Sequence, residues 1–223
     1  GDHYKWRLMR NCGIPEELIT GNADNYAKFE AFASIMPLLI GNPMYVWCHL
    51  ELKRYFGYDG TLNKDTAREV YEICNEKLKR KEFSVKNIIK RSNVDVVCTT
   101  DDPVDDLASH KAIAADKTFD VKVLPTFRPD KALNIAMPTF ADYVKNLSET
   151  AGVKIATADD MLAALTKRLD YFVENGCFIS DHGLTNYTYA DCTGDEATEI
   201  LQKRLGGKAV TDLEAEKYTT YLL

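Results

Sequence analysis

Val94-Asp95-Val96-Val97-Cys98 runs straight into Thr99-Thr100-Asp101-Asp102-Pro103, and this stretch decides the fold class. A short, nearly all-apolar run broken by a tight polar cluster is what a strand covered on both faces looks like at its carboxyl end. The pattern returns where Val121-Lys122-Val123-Leu124-Pro125 leads to Arg128-Pro129-Asp130-Lys131, and where Cys177-Phe178-Ile179 leads to Ser180-Asp181-His182-Gly183. Helical sequence follows each run, so the units predict an α/β chain built from βα repeats of a parallel sheet. Such sheets do their chemistry at the carboxyl ends of their strands, where exposed backbone and side chains share one crevice. All three ends here carry ionisable groups.

Upstream, the first 90 or so residues read as wholly helical. Asp24 can cap a helix with Tyr26, Phe29, Ala33 and Met36 on one face, stopped by Pro37. Asn42-Pro43 opens another with Met44, Trp47, Cys48, Glu51, Leu52 and Tyr55 in register, stopped by Gly57. Asn63 predicts the start of a third, with a stripe of Ala67, Val70, Ile73, Cys74, Lys77 and Leu78. A short helix after Ser84 leads into the first strand.

Downstream, about 50 residues separate the second strand from the third, too many for one crossover helix. One helix follows Thr139 and ends near Gly152. The next has Thr157 as N-cap with Asp160 three residues on, a stripe of Met161, Leu165, Leu169 and Phe172, and a stop at Gly176. The tail holds a helix ending at Gly206-Gly207, then a capping box at Thr211 with Glu214. The ends of the chain read as cut from a longer protein: there is no initiator Met, and Tyr218-Thr219-Thr220-Tyr221-Leu222-Leu223 stops in mid-pattern. Three strands also fall short of the eight that close a barrel.

The chain has 223 residues, 45% of them hydrophobic, and a formal charge of −6 with basic and acidic residues interleaved. This argues against a nucleic-acid partner. No apolar run approaches the roughly 18 residues of a membrane span, and no signal-peptide order opens the chain, so a cytoplasmic location without membrane contact is expected. The six cysteines lie far apart and are read as buried small apolar residues. His49, on a helix with an apolar stripe, reads as a packed or surface histidine, and His110, among Ser109, Lys111 and Asp116, as part of a solvated face. Asp101 and Asp102 stand just before Pro103, and one of them is expected to cap the next helix.

Gly1-Asp2-His3-Tyr4-Lys5-Trp6-Arg7, Gly41-Asn42-Pro43-Met44-Tyr45, Thr99-Thr100-Asp101-Asp102-Pro103, Lys122-Val123-Leu124-Pro125 with Arg128-Pro129-Asp130-Lys131, and Ser180-Asp181-His182-Gly183 resemble, in this order, segments of the uronate (glucuronate) isomerase family. The likeness spans essentially the whole chain. It implies the amidohydrolase superfamily and a partial (β/α)8, TIM-type barrel of about three parallel strands over residues 91–223. Residues 1–90 then correspond to the family's helical insertion. The implied activity is aldose–ketose isomerisation of hexuronates through an enediol, D-glucuronate to D-fructuronate and D-galacturonate to D-tagaturonate, in carbohydrate catabolism. A homo-oligomer is compatible with it.

By the same resemblance Tyr4, Arg128 and Asp181 are catalytic, and His3 and His182 bind substrate. The reaction needs a base at C2, a cation for the enediolate oxygens and a group that returns the proton. A free phenol ionises near pH 10, roughly, so Tyr4 as a base needs a cation such as Arg128. Plainer readings stand beside these: Tyr4 as a packed aromatic, Arg128 as a salt link to Asp130, Asp181 as a helix N-cap or rim hydrogen bond, and the two histidines as supports for neighbouring side chains. The family's His-x-His pair, which binds a divalent metal such as zinc, is missing from this sequence. No His-Glu-x-x-His or Cys-x-x-Cys occurs either, so no metal site is expected within residues 1–223. Two further readings remain: another metal-dependent hydrolase of the superfamily, or a noncatalytic folding or interaction piece whose partner is the remainder of its own barrel. On either the isomerase or the piece reading, residues 1–223 alone are expected to lack turnover.

Overall fold

The computed structural model of the chain describes residues 3–184 and 188–223. The chain divides into two units, Gly1–Ser92 and Asn93–Leu223. The first is helical: α1 (His3–Asn11), α2 (Asn25–Ile35), α3 (Pro43–Phe56), α4 (Ala67–Leu78) and α5 (Val85–Arg91). Local chemistry sets most of these limits. The Asp24 carboxylate accepts from the N–H groups of Tyr26 and Ala27, and Asn42 accepts from Met44 with Pro43 in the first turn of α3. Gly57 ends α3 with φ +61°, a conformation that costs a side-chain-bearing residue more. Pro37 stops α2 as read, the chain turning through a 3-10 segment at Met36–Leu39.

One start differs. The Asn63 side chain accepts from the N–H groups of Asp65 and Thr66, so it caps a turn, and α4 begins only at Ala67. The core of this unit gathers Phe32, Ile35, Met36, Leu39, Met44, Cys48, Leu52 and Val70. Trp47 and Leu78, placed on apolar stripes by spacing, are exposed. His49 is a packed histidine: its Nδ1 lies 2.7 Å from the Tyr45 carbonyl oxygen and its Nε2 accepts from the Leu62 N–H at 2.9 Å. That pairing assigns the Nδ1–H tautomer.

The second unit runs β1 (Val96–Cys98), α6 (Ala108–Ala115), β2 (Lys122–Leu124), α7 (Asp130–Leu133), α8 (Phe140–Ala151), α9 (Ala158–Glu174), α10 (Gly194–Leu205) and α11 (Asp212–Leu222). The architecture is helix-rich α/β with a small parallel sheet. β1 and β2 pair in parallel with Val96 opposite Lys122 and Cys98 opposite Leu124. The expected third strand at Cys177–Ile179 does not form; the segment makes a single parallel bridge, Phe127 to Ser180. The cause lies in the end of α9. The Cys177 N–H bonds back to the Phe172 carbonyl and the Gly176 N–H to Val173, so the residues meant to open the strand close the helix instead.

Capping boxes start α9 (Thr157 with Asp160), α10 (Thr193 with Glu196) and α11 (Thr211 with Glu214), and Gly152 ends α8 with φ +61°. Phe140, Leu147, Met161, Phe172, Leu201 and Tyr218 form the heart of the core between these helices. The sheet is less covered than its composition suggested. Val96, Phe178 and Ile179 are exposed, as is Cys98, contrary to the reading of the cysteines as uniformly buried; Cys48 and Cys177 are the buried ones. Leu169 is likewise partly exposed, on the margin of the α9 stripe.

Candidate active site

Beyond the named strands the backbone ladder continues and delivers the polar loops to one place. The Asp101 N–H donates to the Thr126 carbonyl at 3.2 Å and the Arg128 N–H to the Asp101 carbonyl at 3.0 Å. On the other side the Phe127 N–H donates to Ile179 and the Asp181 N–H to Phe127, both at 3.2 Å. Phe127 is buried and meets Phe172 edge-on with centroids 5.3 Å apart. This one aromatic anchor ties the middle segment to α9, so the side chains after it emerge from a fixed backbone.

Arg128 Nε donates to Asp130 Oδ2 at 2.8 Å, and Asp181 Oδ2 lies 3.7 Å from the same nitrogen. The Gly183 N–H also donates to Asp130 Oδ2 at 2.8 Å, which draws the 181–183 segment over the guanidinium. A Cβ on Gly183 would overlap Arg128 Nη2 and sit 2.9 Å from Asp130 Oδ2, so a larger residue there would have to displace the ends of these two side chains. His182 Nδ1 stands 3.6 Å from Asp130 Oδ1, and the His182 N–H donates to Asp181 Oδ1 at 2.8 Å. Among the described residues no helix starts at Asp181, which there accepts from its own neighbour instead. Three of the residues singled out from sequence, Arg128, Asp181 and His182, thus share one cluster whose organiser is Asp130. The Arg128 side chain keeps 32% and Asp181 50% of its surface exposed, so both can be reached from solvent.

Asp102 forms a second arm. It accepts from the Tyr143 hydroxyl at 2.9 Å and lies 3.2 Å from Lys131 Nζ. Burial, followed by the charge of Asp102, pushes the Tyr143 phenol well above its ordinary value, which keeps the hydroxyl protonated as a donor. Asp101 accepts from Thr99 Oγ1 at 2.5 Å and the Thr126 N–H at 3.1 Å. Neither aspartate caps the next helix, because the chain makes a turn through Leu107 before α6 begins. His110 is a further correction. It lies on the packed side of α6, its side chain 12% exposed and its Nε2 2.7 Å from Thr99 Oγ1. Its polar sequence neighbours do face solvent, but in an eight-residue helix the buried face is chosen by what lies beneath it.

In the first unit, His3 and Tyr4 occupy the first turn of α1, with ring centroids 4.4 Å apart and Tyr4 58% exposed. Gly1 and Asp2 of the same motif lie outside the described residues. Sequence reading also missed Arg168. Although charged, it is buried in α9, donating from Nε to the Pro103 carbonyl at 2.6 Å and from Nη2 to that of Asp105 at 2.8 Å. Its place on the Leu165 side of the helix was the available signal.

Among the described residues no group of three His, Cys, Asp or Glu side chains is placed to hold a metal ion. No helix of the described residues is long and apolar enough to cross a membrane. A cavity of about 540 Å³ in the second unit is bordered by Asn134, Leu184, Tyr189 and Thr219, and the Arg128 cluster does not line it. The solvent-facing cluster, with its cation and carboxylates, is the better chemical candidate.

A sequence model of the glucuronate isomerase family matches residues 1–223. The uronate isomerase of Lachnoclostridium phytofermentans is 51% identical over 220 residues, which cover 99% of this chain and 47% of the relative. That of Lachnospira eligens is 50% identical over 220 residues, with the same coverage of 99% and 47%. The crystal structure of uronate isomerase from Thermotoga maritima matches with a TM-score of 0.89 at 37% identity, covering 99% of this chain and 48% of that one. The chain spans about half the length of the curated relatives it matches.

Proposed function

This chain belongs to the glucuronate isomerase family, and from that premise we propose that the whole protein is an intramolecular oxidoreductase interconverting a hexuronate aldose, D-glucuronate or D-galacturonate, with its ketose. On this reading residues 91–223 are part of a (β/α)8 barrel of the amidohydrolase superfamily and residues 1–90 its helical insertion. The remaining barrel strands are the partner of this half, and the half alone has no turnover.

The observation that carries the proposal is the joining of Arg128, Asp181 and His182 around Asp130 at the carboxyl ends of parallel segments. In the proposed reaction Tyr4 takes the proton from C2 of the open-chain aldose. The C2–H electron pair forms the C1–C2 double bond, and the C1 carbonyl oxygen becomes the enediolate oxygen. Arg128 stabilises that oxygen through its N–H donors. Transfer of the C2 hydroxyl proton to the C1 oxygen, together with return of a proton to C1, gives the ketose with its C2 carbonyl and C1 hydroxyl, and Asp181 serves in that relay. The Asp130 carboxylate holds the guanidinium, and His3 and His182 donate to substrate hydroxyls or to its carboxylate.

Turnover of D-glucuronate in D2O by the full-length protein tests this, since a proton-transfer route puts solvent deuterium into the ketose at C1. Arg128→Lys should lower kcat by about 100-fold to 1000-fold, because a point-charge ammonium lacks the planar donor fork. Near-normal kcat in this variant would remove Arg128 from the chemistry.

A further inference from the structure

Below the Arg128 cluster lies a hydrogen-bonded set that the proposed reaction does not use. Thr99 Oγ1 is 2.5 Å from Asp101 Oδ2 and 2.7 Å from His110 Nε2. A hydroxyl has one proton. With that proton donated to Asp101, His110 must donate from Nε2 to Thr99 Oγ1. His110 Nδ1 is buried and has no hydrogen-bond partner among the described residues. The chain His110 to Thr99 to Asp101 ends on the Thr126 N–H, which donates to the same Asp101 oxygen at 3.1 Å. Backbone bonds from Asp101 to Thr126 and from Arg128 to Asp101 bracket that contact. The side chain of Asp101 thus fastens the segment after β1 to Thr126, two residues before Arg128.

The loop that brings His110 to this place is held under strain. Leu107, immediately before α6, is 3% exposed and has φ +55°, a left-handed conformation that is unfavourable for a branched side chain. Arg168 grips the loop from below through the carbonyls of Pro103 and Asp105, and the Tyr171 hydroxyl donates to that of Asp106. A strained turn held by so many contacts fixes where α6 starts, and with it the angle at which His110 meets Thr99.

We propose that Thr99, Asp101 and His110 are positioning residues for the isomerisation: they lock the end of β1 to Thr126–Arg128 and so aim the Arg128 guanidinium. This rests on the assignment of Arg128 made above. None of the three touches substrate. Their effect passes through the backbone at Asp101 and Arg128, and a displacement of about 1 Å there can cost on the order of 100-fold in rate.

The test is a kinetic cycle on the full-length protein with D-glucuronate as substrate. Thr99→Val keeps the side-chain shape and removes the hydroxyl, and it should lower kcat by about 10-fold to 100-fold with KM little changed. Thr99→Ser, which restores the hydroxyl, should recover most of that loss, and Asp101→Asn should behave as Thr99→Val does. In an Arg128→Lys background, Thr99→Val should cost less than about 3-fold more, because its route is already lost. Thermal melting identifies any variant that does not fold, and Asp101→Asn and the Ser variant then carry the measurement. If Arg128→Lys loses kcat while Thr99→Val and Asp101→Asn keep theirs, or if the losses multiply in the double variant, the positioning proposal is wrong and the Arg128 assignment stands. If Arg128→Lys itself keeps its kcat, the assignment falls and the proposal with it.

Discussion

The two units hold their candidate residues in contrasting ways. In residues 3–92 the helices are delimited by side chains two or three positions away, as Asp24 is for α2, and Tyr4 stands exposed against its own neighbour His3. In residues 93–223 the polar side chains are placed by partners far along the chain: Gly183 binds Asp130 across 53 positions and Arg168 binds Pro103 across 65. Local capping makes a scaffold that can be read residue by residue. A cluster assembled from distant segments depends on the packing that brings them together, and damage to that packing should reach the cluster.

The largest effect on stability is expected from Phe172→Ala. Phe172 is fully buried and supports Phe127, so truncation should cost about 3 to 5 kcal/mol in urea unfolding. It should also speed amide exchange at Phe127 and Asp181; unchanged exchange there would uncouple the α9 core from the strand ends.

Arg168→Met keeps most of the side-chain volume but strips two carbonyls of their charged donor. A loss of about 1.5 to 3 kcal/mol is expected, with faster exchange in the 103–107 loop. A Met variant of parental stability would show that solvent satisfies those carbonyls and that the loop needs no clamp.

Asp24→Ala should cost about 1 kcal/mol through the lost N-cap of α2, a smaller and more local change. Circular dichroism and exchange should confine it to the first turn of that helix. A loss as large as that of Phe172→Ala would mean that this cap does more than its two hydrogen bonds.

The smallest effect is electrostatic, and both units share it. Arg10, then Thr20, holds the Glu16 carboxyl down at about 2, and Lys203, then the Thr211 N–H, does the same for Glu214. A carboxyl depressed on folding contributes above its unfolded value, near 4.3 in roughly unperturbed peptides, and the contribution fades as pH falls toward 2. Both ion pairs are at the surface, so the contribution is small and salt-sensitive. Stability measured from pH 5 to pH 2 should fall less steeply in Glu16→Gln and Glu214→Gln than in the parent chain. An unchanged slope would remove these pairs from the acid sensitivity.

Much of this architecture could be read from residue order because the signals are local. Asp24, Asn42-Pro43, Gly57, Gly152, Thr157 with Asp160, and Thr211 with Glu214 act on backbone groups within a few positions, and each bounds a helix where expected. Likewise, two of the βα junctions follow from short apolar runs ending in polar clusters. The motifs alone also brought Arg128, Asp181 and His182 to notice.

Tertiary structure decided what depends on distance. The segment at Cys177–Ile179 has strand composition, yet its backbone groups were taken by the end of α9, and nothing in composition reports such competition. His110 looks solvated because its neighbours are polar; its burial comes from the angle at which a strained Leu107 sets α6 against Thr99. Asp130, read only as a salt-link partner, became the organiser of the cluster because one carboxylate oxygen accepts from both the Arg128 guanidinium and the Gly183 N–H. Hydrogen-bond donors and acceptors pair by proximity in space, and sequence order specifies that proximity only over the length of a turn.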